Sequence, residues 1–129
     1  LGLKKHGSRT DLSALLAFGG REHAAICGAV LAARMARIPV ILDGFICSAA
    51  AAPLFGMAPD SLDHCLVGHV SAEPGHKHLL EAMGKLAILQ LDMRLGEGTG
   101  AAVALSVLRG AAACHNQMAT FESAGIAGA

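Results

Sequence analysis

The chain has 129 residues, of which 53% are hydrophobic, and its 10 Lys and Arg residues balance its 10 Asp and Glu residues. This composition is typical of one globular domain or of part of a larger one, and it excludes a disordered chain. The formal net charge of +0 and the aromatic content of 3% exclude a nucleic-acid-binding protein, which needs a basic surface and aromatic side chains for stacking.

The apolar runs are too short to predict a membrane-spanning helix, although the mean hydropathy is +0.52. Arg34, Arg37 and Asp43 interrupt these runs before they reach the roughly 20 residues that a spanning helix needs. Two lysines near the N-terminus are followed by neither an apolar stretch nor a cleavage site, so no signal peptide is predicted. We therefore expect a cytoplasmic protein with no membrane partner, and we expect this chain, which starts at Leu1, to be an interior portion of a longer protein.

The cysteines and histidines show no metal-binding spacing. The cysteines are scattered through apolar segments without a C-x-x-C pair, which is typical of reduced, buried thiols. The histidines between residues 64 and 78 lack the H-E-x-x-H spacing of a zinc site, and we interpret them as solvated side chains or local caps. The residues concerned are Cys27, Cys47, Cys65, Cys114, His64, His69, His76 and His78.

The first half of the chain predicts helices on either side of a buried strand. Residues 11–18 predict a short helical or turn segment, and a helix over 21–37 has acidic and basic residues placed to complement its dipole. The β-branched run at 40–42 suits a parallel strand buried on both faces. A helix over 45–55 follows, and Pro53 predicts a kink or an early end because proline lacks the amide hydrogen that a helix uses.

The second half repeats this unit. A strand is predicted over 65–70, and a polar loop leads from it into a helix that ends near Gly84. An apolar run at 87–91, of uncertain type, precedes a glycine-rich loop and a helix over about 99–114, whose apolar faces we assign to core or dimer packing. The alternation predicts an α/β fold, a three-layer Rossmann-like domain with parallel strands and flanking helices.

The segments that follow the strands form the candidate site, because ligands of parallel α/β domains bind at the carboxyl ends of the strands. These segments are 43–45, 69–76 and 95–100. In the last one, Glu97 is the only side chain able to move a proton, and the glycines around it allow a close approach of the backbone to a ligand. The spacing alone supports an anion site and an ordinary glycine-rich turn about equally, and it slightly favours Glu97 as a complement to the helix dipole over a catalytic Glu97.

Five blocks of the sequence resemble the nicotinate-nucleotide:dimethylbenzimidazole phosphoribosyltransferase family, and they occur in the order seen there. The longest block is specific because it sets one glutamate among three glycines. Together the blocks extend over nearly the whole chain. They are FGGRE at 18–22, VILDGFI at 40–46, SAEPGH at 71–76, MRLGEGTGAA at 93–102 and MATFESAGI at 118–126.

The resemblance implies a pentosyltransferase of cobalamin (vitamin B12) nucleotide-loop assembly that needs no metal and no organic cofactor. Such an enzyme transfers the phosphoribosyl group of nicotinate mononucleotide to 5,6-dimethylbenzimidazole, giving α-ribazole 5′-phosphate and nicotinate. The glutamate of the glycine-rich motif is the catalytic base of the family and falls on Glu97. By the same resemblance, Leu95 and Gly96 lie against the aromatic base, and the phosphoribosyl group lies near the glycine turns and Ser71. The implied substrate-binding residues are Gly19, Gly20, Asp43, Gly44, Ser71, Leu95, Gly96 and Gly98.

The resemblance covers only the C-terminal portion of the family, so residues 1–129 are expected to be a single C-terminal α/β portion of the full fold. It also implies a homodimer with the active site near the subunit interface. We expect Arg94 to pair with Asp92 or Asp43, since ion pairs at the rim of a site are common. The alternative to the enzyme is a truncated, non-catalytic domain that binds a nucleotide or a partner protein.

Overall fold

A sheet of three parallel strands organises the computed structural model, which describes residues 11–126. The strands are β1 (Val40–Leu42), β2 (Cys65–His69) and β3 (Ala87–Leu89), and they lie side by side in chain order. In β1 and β2, Val40 pairs with Cys65 and Leu42 with Val67. In β2 and β3, Val67 pairs with Ala87 and His69 with Leu89. The run at 87–91 is therefore a strand, and the prediction of parallel pairing is confirmed.

Within the described residues, five helices flank the sheet. The first two are α1 (Ser13–Ala17) and α2 (Arg21–Met35), and α3 (Phe45–Met57) and a 3₁₀ turn (Pro59–Leu62) connect β1 to β2. Helix α4 (Pro74–Met83) connects β2 to β3, and α5 (Thr99–Gln117) follows β3. Helix α5 contacts all three strands, whereas α2, α3 and α4 pack together and bury side chains with the strands in one apolar cluster. The fold is thus a partial α/β Rossmann-like arrangement.

The apolar cluster consists of small and medium-sized side chains. This composition follows from the alanine-rich and glycine-rich sequence, in which helices approach the sheet closely. Lys85 closes one end of the cluster: its Nζ donates hydrogen bonds to the carbonyl oxygens of Leu62, at 2.7 Å, and Cys65, at 3.1 Å. The members of the cluster are Cys27, Val30, Leu42, Ala51, Leu54, Leu62, Cys65, Val67, Leu80 and Met83.

Two helices run further than the sequence predicts. Pro53 lies inside α3, which continues to Met57, so the expected early end is wrong. Pro53 and its neighbour Leu54 are both buried, and this packing offsets the loss of one helical hydrogen bond. Helix α5 continues to Gln117 instead of ending near residue 115, and its only buried residues are Gly100 and Ala104.

Two further expectations concern membranes and thiols. Among residues 11–126, no helix is both long enough and apolar enough to cross a membrane.

All four cysteines are free thiols, of which Cys27 and Cys65 are buried and Cys114 is exposed. Burial raises the pKa of both buried thiols, and nearby Lys85 and Arg34 oppose this shift at Cys65.

Candidate active site

A cleft of about 460 Å³ lies where the three strands end. Its walls come from the loops that follow the strands and from one face of α2, as expected for ligand sites of parallel sheets. The lining mixes carboxylates, backbone groups and apolar side chains. The lining residues are Glu22, Ile26, Asp43, Gly44, Phe45, Ile46, Cys47, His69, Ser71, Glu73, Arg94, Leu95, Gly96, Glu97 and Gly98.

The cleft brings together seven of the nine residues that the resemblance implicates. Glu97 lines it together with Asp43, Gly44, Ser71, Leu95, Gly96 and Gly98. Gly19 and Gly20 do not line it: Gly19 packs against the carbonyl of Leu15, and Gly20 is the residue before α2. Helix α2 also contributes Glu22 and Ile26 to the cleft, and neither was predicted from the sequence as a site residue. Their four-residue spacing, which places two side chains on one helix face, was the available signal.

The loop that carries Glu97 is a tight turn. Gly96 and Gly98 have φ angles of 75° and 77°, which glycine adopts without the steric strain of other residues. The hydroxyl of Thr99 donates to the carbonyl of Gly96 at 2.7 Å and closes the turn. Glu97 is exposed at the cleft, and among residues 11–126 its carboxylate has neither a hydrogen bond nor an ion pair. The carboxylate is therefore available to a ligand.

Asp43 connects the end of β1 to this loop. Its Oδ2 accepts a hydrogen bond from the amide of Gly98 at 3.1 Å, and its Oδ1 accepts one from the amide of Ala101 at 2.7 Å. The residue is 8% exposed. These bonds cap the N-terminus of α5. They occupy two of the amide hydrogens that the sequence predicts as donors to a bound anion. The structure thus gives Asp43 a role in holding the Glu97 loop.

The His69 side chain fills the space behind the cleft. It is 1% exposed, so the expectation of a solvated or capping histidine is wrong. A Cβ atom at Gly100 would overlap the imidazole, and one at Gly44 would lie 2.6 Å from Cε1. His69 Nδ1 lies 3.9 Å from Asp43 Oδ1 and has no hydrogen-bond partner within the described residues. Glycine is required at both positions because this ring occupies the space.

His76 is also buried, at 0% exposure, so it is not a solvated side chain, but it fits the expected local cap because it accepts a backbone hydrogen bond from the loop before its own helix. Its Nδ1 accepts a hydrogen bond from the amide of Ser71 at 2.9 Å, and its Nε2 lies 3.1 Å from the hydroxyl of Ser48. Burial, and secondarily the nearby His69, lowers the pKa of the His76 imidazole below its ordinary value. Because Nδ1 accepts from an amide, it carries no hydrogen; the single hydrogen of the neutral ring is then on Nε2, which donates it to Ser48.

Arg94 pairs with a different carboxylate from those expected. Its Nε lies 3.4 Å from Oε1 of Glu73, so the prediction of Asp92 or Asp43 as the partner is wrong. Both side chains are well exposed, at 74% and 44%, and such an ion pair contributes little to stability. The pair closes the rim of the cleft between the β2–α4 loop and the Glu97 loop.

The first turn of α3 forms another part of the cleft wall. Gly44 precedes this helix, and no side chain in the described part of the protein caps its first amides. Phe45, Ile46 and Cys47, which line the cleft, contribute apolar surface together with amide donors of a helix N-terminus. No group of three or more His, Cys, Asp or Glu side chains within residues 11–126 is placed to hold a metal ion. The cleft therefore combines an anion-compatible wall, an apolar surface and a carboxylate that is free to meet a ligand.

The comparisons with known proteins agree in pointing to one family. A family model described as Phosphoribosyltransferase matches residues 2–126. The nicotinate-nucleotide–dimethylbenzimidazole phosphoribosyltransferase of Rhodobacter capsulatus is 62% identical over 125 residues, which make up 97% of this chain and 37% of that protein. The protein of the same name from Brucella anthropi is 63% identical over 117 residues, 91% of this chain and 34% of that protein.

A solved structure is similar over the same extent. The crystal structure of the phosphoribosyltransferase of that name from Thermus thermophilus matches with a TM-score of 0.87 and 44% identity, covering 98% of this chain and 38% of the other. The chain thus spans somewhat more than a third of the length of these relatives. It belongs to the phosphoribosyltransferase family whose members are named nicotinate-nucleotide–dimethylbenzimidazole phosphoribosyltransferase.

Proposed function

We propose that this chain carries the catalytic base of an enzyme that transfers the phosphoribosyl group of nicotinate mononucleotide to 5,6-dimethylbenzimidazole. The products are α-ribazole 5′-phosphate and nicotinate, as in the assembly of the cobalamin nucleotide loop. The observation that carries the proposal is the Glu97 carboxylate, unpaired within residues 11–126, on a cleft that also has apolar surface and the first amides of α3. The names of the relatives supply the two substrates.

The chemistry needs a base more than an acid. Nicotinate leaves from a positively charged pyridinium glycoside, so breaking the bond from C1′ to its nitrogen neutralises a cation without protonation of the leaving group. One benzimidazole nitrogen forms the new bond to C1′, and the N–H on the other nitrogen becomes acidic as it does so. Glu97 accepts that proton, a contribution that is commonly worth about 10² to 10⁴-fold in rate.

A single displacement accounts for the change of configuration. The substrate is a β-glycoside and the product an α-glycoside, so the attacking and leaving nitrogens lie on opposite faces of C1′. Positive charge develops at C1′ during the displacement, and the nearby carboxylate stabilises it electrostatically. Glu97 therefore acts on the side of the attacking base, next to Leu95 and Gly96.

The phosphoribosyl end of the substrate belongs at the first turn of α3. The first amides of α3 have no side-chain cap among the described residues and suit a phosphate, whereas Asp43 occupies two amides at the start of α5. The hydroxyl of Ser71 accepts a hydrogen bond from the amide of Glu73 at 3.3 Å and keeps its own hydrogen for a ligand. Ser71 and the amides after Gly44 are thus the proposed phosphoribosyl contacts.

The same proposal includes a homodimer in the cytoplasm. Helix α5 exposes a series of large apolar side chains, and others flank the cleft, which together suit a protein interface. A chain that spans about a third of its relatives also leaves room for contacts from other segments. The exposed apolar residues on and near this surface are Leu91, Leu95, Val103, Leu105 and Val107.

The test uses a chimera in which this chain replaces the matching segment of the Rhodobacter capsulatus relative. The chimera is expected to form α-ribazole 5′-phosphate from nicotinate mononucleotide and dimethylbenzimidazole, and Glu97→Gln is expected to lower kcat about 10² to 10⁴-fold. Glu81→Gln, which changes an exposed carboxylate on α4 outside the cleft, is the matched control and is expected to retain activity.

Two results would overturn the proposal. A fully active Glu97→Gln chimera would remove Glu97 from the role of base. A folded chimera that binds nicotinate mononucleotide in calorimetry without any turnover would instead identify a non-catalytic nucleotide-binding domain.

A further inference from the structure

His76 links three parts of the fold from a fully buried position. It lies in the first turn of α4, its Nδ1 reaches back to the β2–α4 loop, and its Nε2 reaches across to Ser48 in α3. The ring also lies against Phe45, with the ring centroids 5.8 Å apart. Both ring nitrogens have partners, so the imidazole is held in one orientation.

The bond to the Ser71 amide has a direct consequence for the cleft. Ser71 follows β2 in an irregular stretch, beyond the paired part of the strand. Nδ1 of His76 supplies an acceptor for its amide at 2.9 Å. With its amide fixed in this way, and its Oγ accepting from the amide of Glu73, the Ser71 hydroxyl hydrogen is left as a donor on the cleft.

We infer that His76 is a positioning residue, which holds Ser71 so that its hydroxyl meets the phosphoribosyl group of the bound nucleotide. The inference rests on the proposed function, because the nucleotide is the substrate named there. His76 does not line the cleft and reaches it through two lining residues, by its hydrogen bond to Ser71 and its ring contact with Phe45, neither of which belongs to the Glu97 loop. Its loss is therefore expected to change nucleotide affinity and to leave the proton transfer to Glu97 intact.

The two ring nitrogens can be tested separately by a matched pair of variants. In His76→Asn, the carboxamide oxygen occupies nearly the place of Nδ1 and still accepts from Ser71. In His76→Gln, the carboxamide occupies nearly the place of Nε2, so the Ser48 bond is kept and the Ser71 bond is lost. Both variants shorten or reshape the same buried side chain, so a merely structural role predicts similar effects for the two.

Kinetics of the chimera give the first readout. His76→Gln is expected to raise KM for nicotinate mononucleotide about tenfold, the effect of losing one hydrogen bond, with kcat and KM for dimethylbenzimidazole changed less than about twofold. His76→Asn is expected to keep KM for the nucleotide within about threefold of the unsubstituted chimera. Equal KM values in the two variants, or a change confined to kcat, would overturn the inference.

Amide hydrogen exchange of Ser71, measured by NMR in the 129-residue chain, gives a second readout that needs no activity. The amide is expected to exchange at least about tenfold faster in His76→Gln than in His76→Asn. Equal exchange in the two variants overturns the assignment of His76 as the residue that holds Ser71. An unsubstituted chimera without turnover overturns the proposed function instead, and a difference in exchange would then still support the positioning of Ser71.

Discussion

Replacement of Gly100 by alanine tests the packing of His69 beneath the Glu97 loop. The added methyl group would overlap Nδ1 of His69 and would lie 2.6 Å from both Cε1 and Cγ. The imidazole cannot retreat, because it is 1% exposed and a Cβ placed at Gly44 would lie 2.6 Å from the same ring. Overpacking of this kind costs about 1 to 3 kcal/mol of unfolding free energy.

Gly110 provides the matched control in the same helix. A Cβ atom there meets nothing within 4 Å among the described residues, so Gly110→Ala is expected to stabilise the chain by about 0.5 to 1 kcal/mol through lower backbone entropy in the unfolded state. The two glycine-to-alanine variants should therefore differ by about 1.5 to 4 kcal/mol, in opposite directions from the wild type.

Urea unfolding followed by circular dichroism measures this difference. Combining Gly100→Ala with His69→Ala adds a further check, because removal of the ring makes room for the methyl group. The double variant is then expected to be less destabilised than the sum of the two single variants. If Gly100→Ala were as stable as Gly110→Ala, or if the two changes were additive, the account of His69 as the reason for these glycines would be refuted.

Three further predictions concern buried groups. Burial, and secondarily nearby His69, lowers the pKa of His76 in the folded state below its ordinary value of 6.5, so the unfolded state binds more protons between the two pKa values. The contribution of His76 to stability should therefore be fully present above about pH 6.5 and should be lost on acidification. His76→Asn should weaken that loss, as measured by urea unfolding at about pH 7.5 and 5.5. Asp43→Asn should cost about 1 to 2 kcal/mol and, because a carboxamide has one acceptor oxygen instead of two, should speed exchange of at least one of the two amides that the carboxylate caps. The buried Cys27 thiol, whose pKa is raised, should react with iodoacetamide far more slowly than the exposed Cys114 thiol, as read by mass spectrometry.

Each of these predictions has a contrary result. The same pH dependence in the wild type and in His76→Asn would show that His76 titrates alike in the folded and unfolded states. Unchanged amide exchange in Asp43→Asn would mean that the carboxylate does not hold the loop. Alkylation of Cys27 and Cys114 at equal rates in the native chain would contradict the burial of the first thiol.

The regular elements could be predicted from the sequence because their signals are local. The run at 40–42 is β-branched and apolar and is followed by Asp43 and Gly44, and the strand ends where expected. Helix α4 ends at Met83, and Gly84 follows it with a φ of 63°, the left-handed conformation that glycine favours after a helix. Pro53 does not end α3 early, because its burial and that of Leu54 hold the helix together through residue 57, and a local rule for proline does not include burial.

The site could be predicted only in part, since its internal contacts join residues that are distant in the chain. The resemblance and the strand-end rule together led to Glu97 and to most of the cleft. The positions of His69 and His76 could not be inferred, because polar side chains become buried only when several elements supply their partners. Arg94 likewise pairs with Glu73, and not with Asp43 or Asp92 as predicted, because of tertiary geometry that no sequence spacing encodes.

The hydrogen bonds of Asp43 have a consequence for protein engineering. The carboxylate holds amides that are 55 and 58 residues further along the chain, so the conformation of the glycine-rich segment depends on a strand that is not its neighbour in sequence. A graft of residues 94–102 onto another scaffold would carry the glutamate but leave behind the anchor that fixes its direction. Transfer of this motif between proteins therefore requires the end of β1 as well, and because β2 lies between β1 and β3, the smallest portable unit is the three-stranded sheet with helix α5.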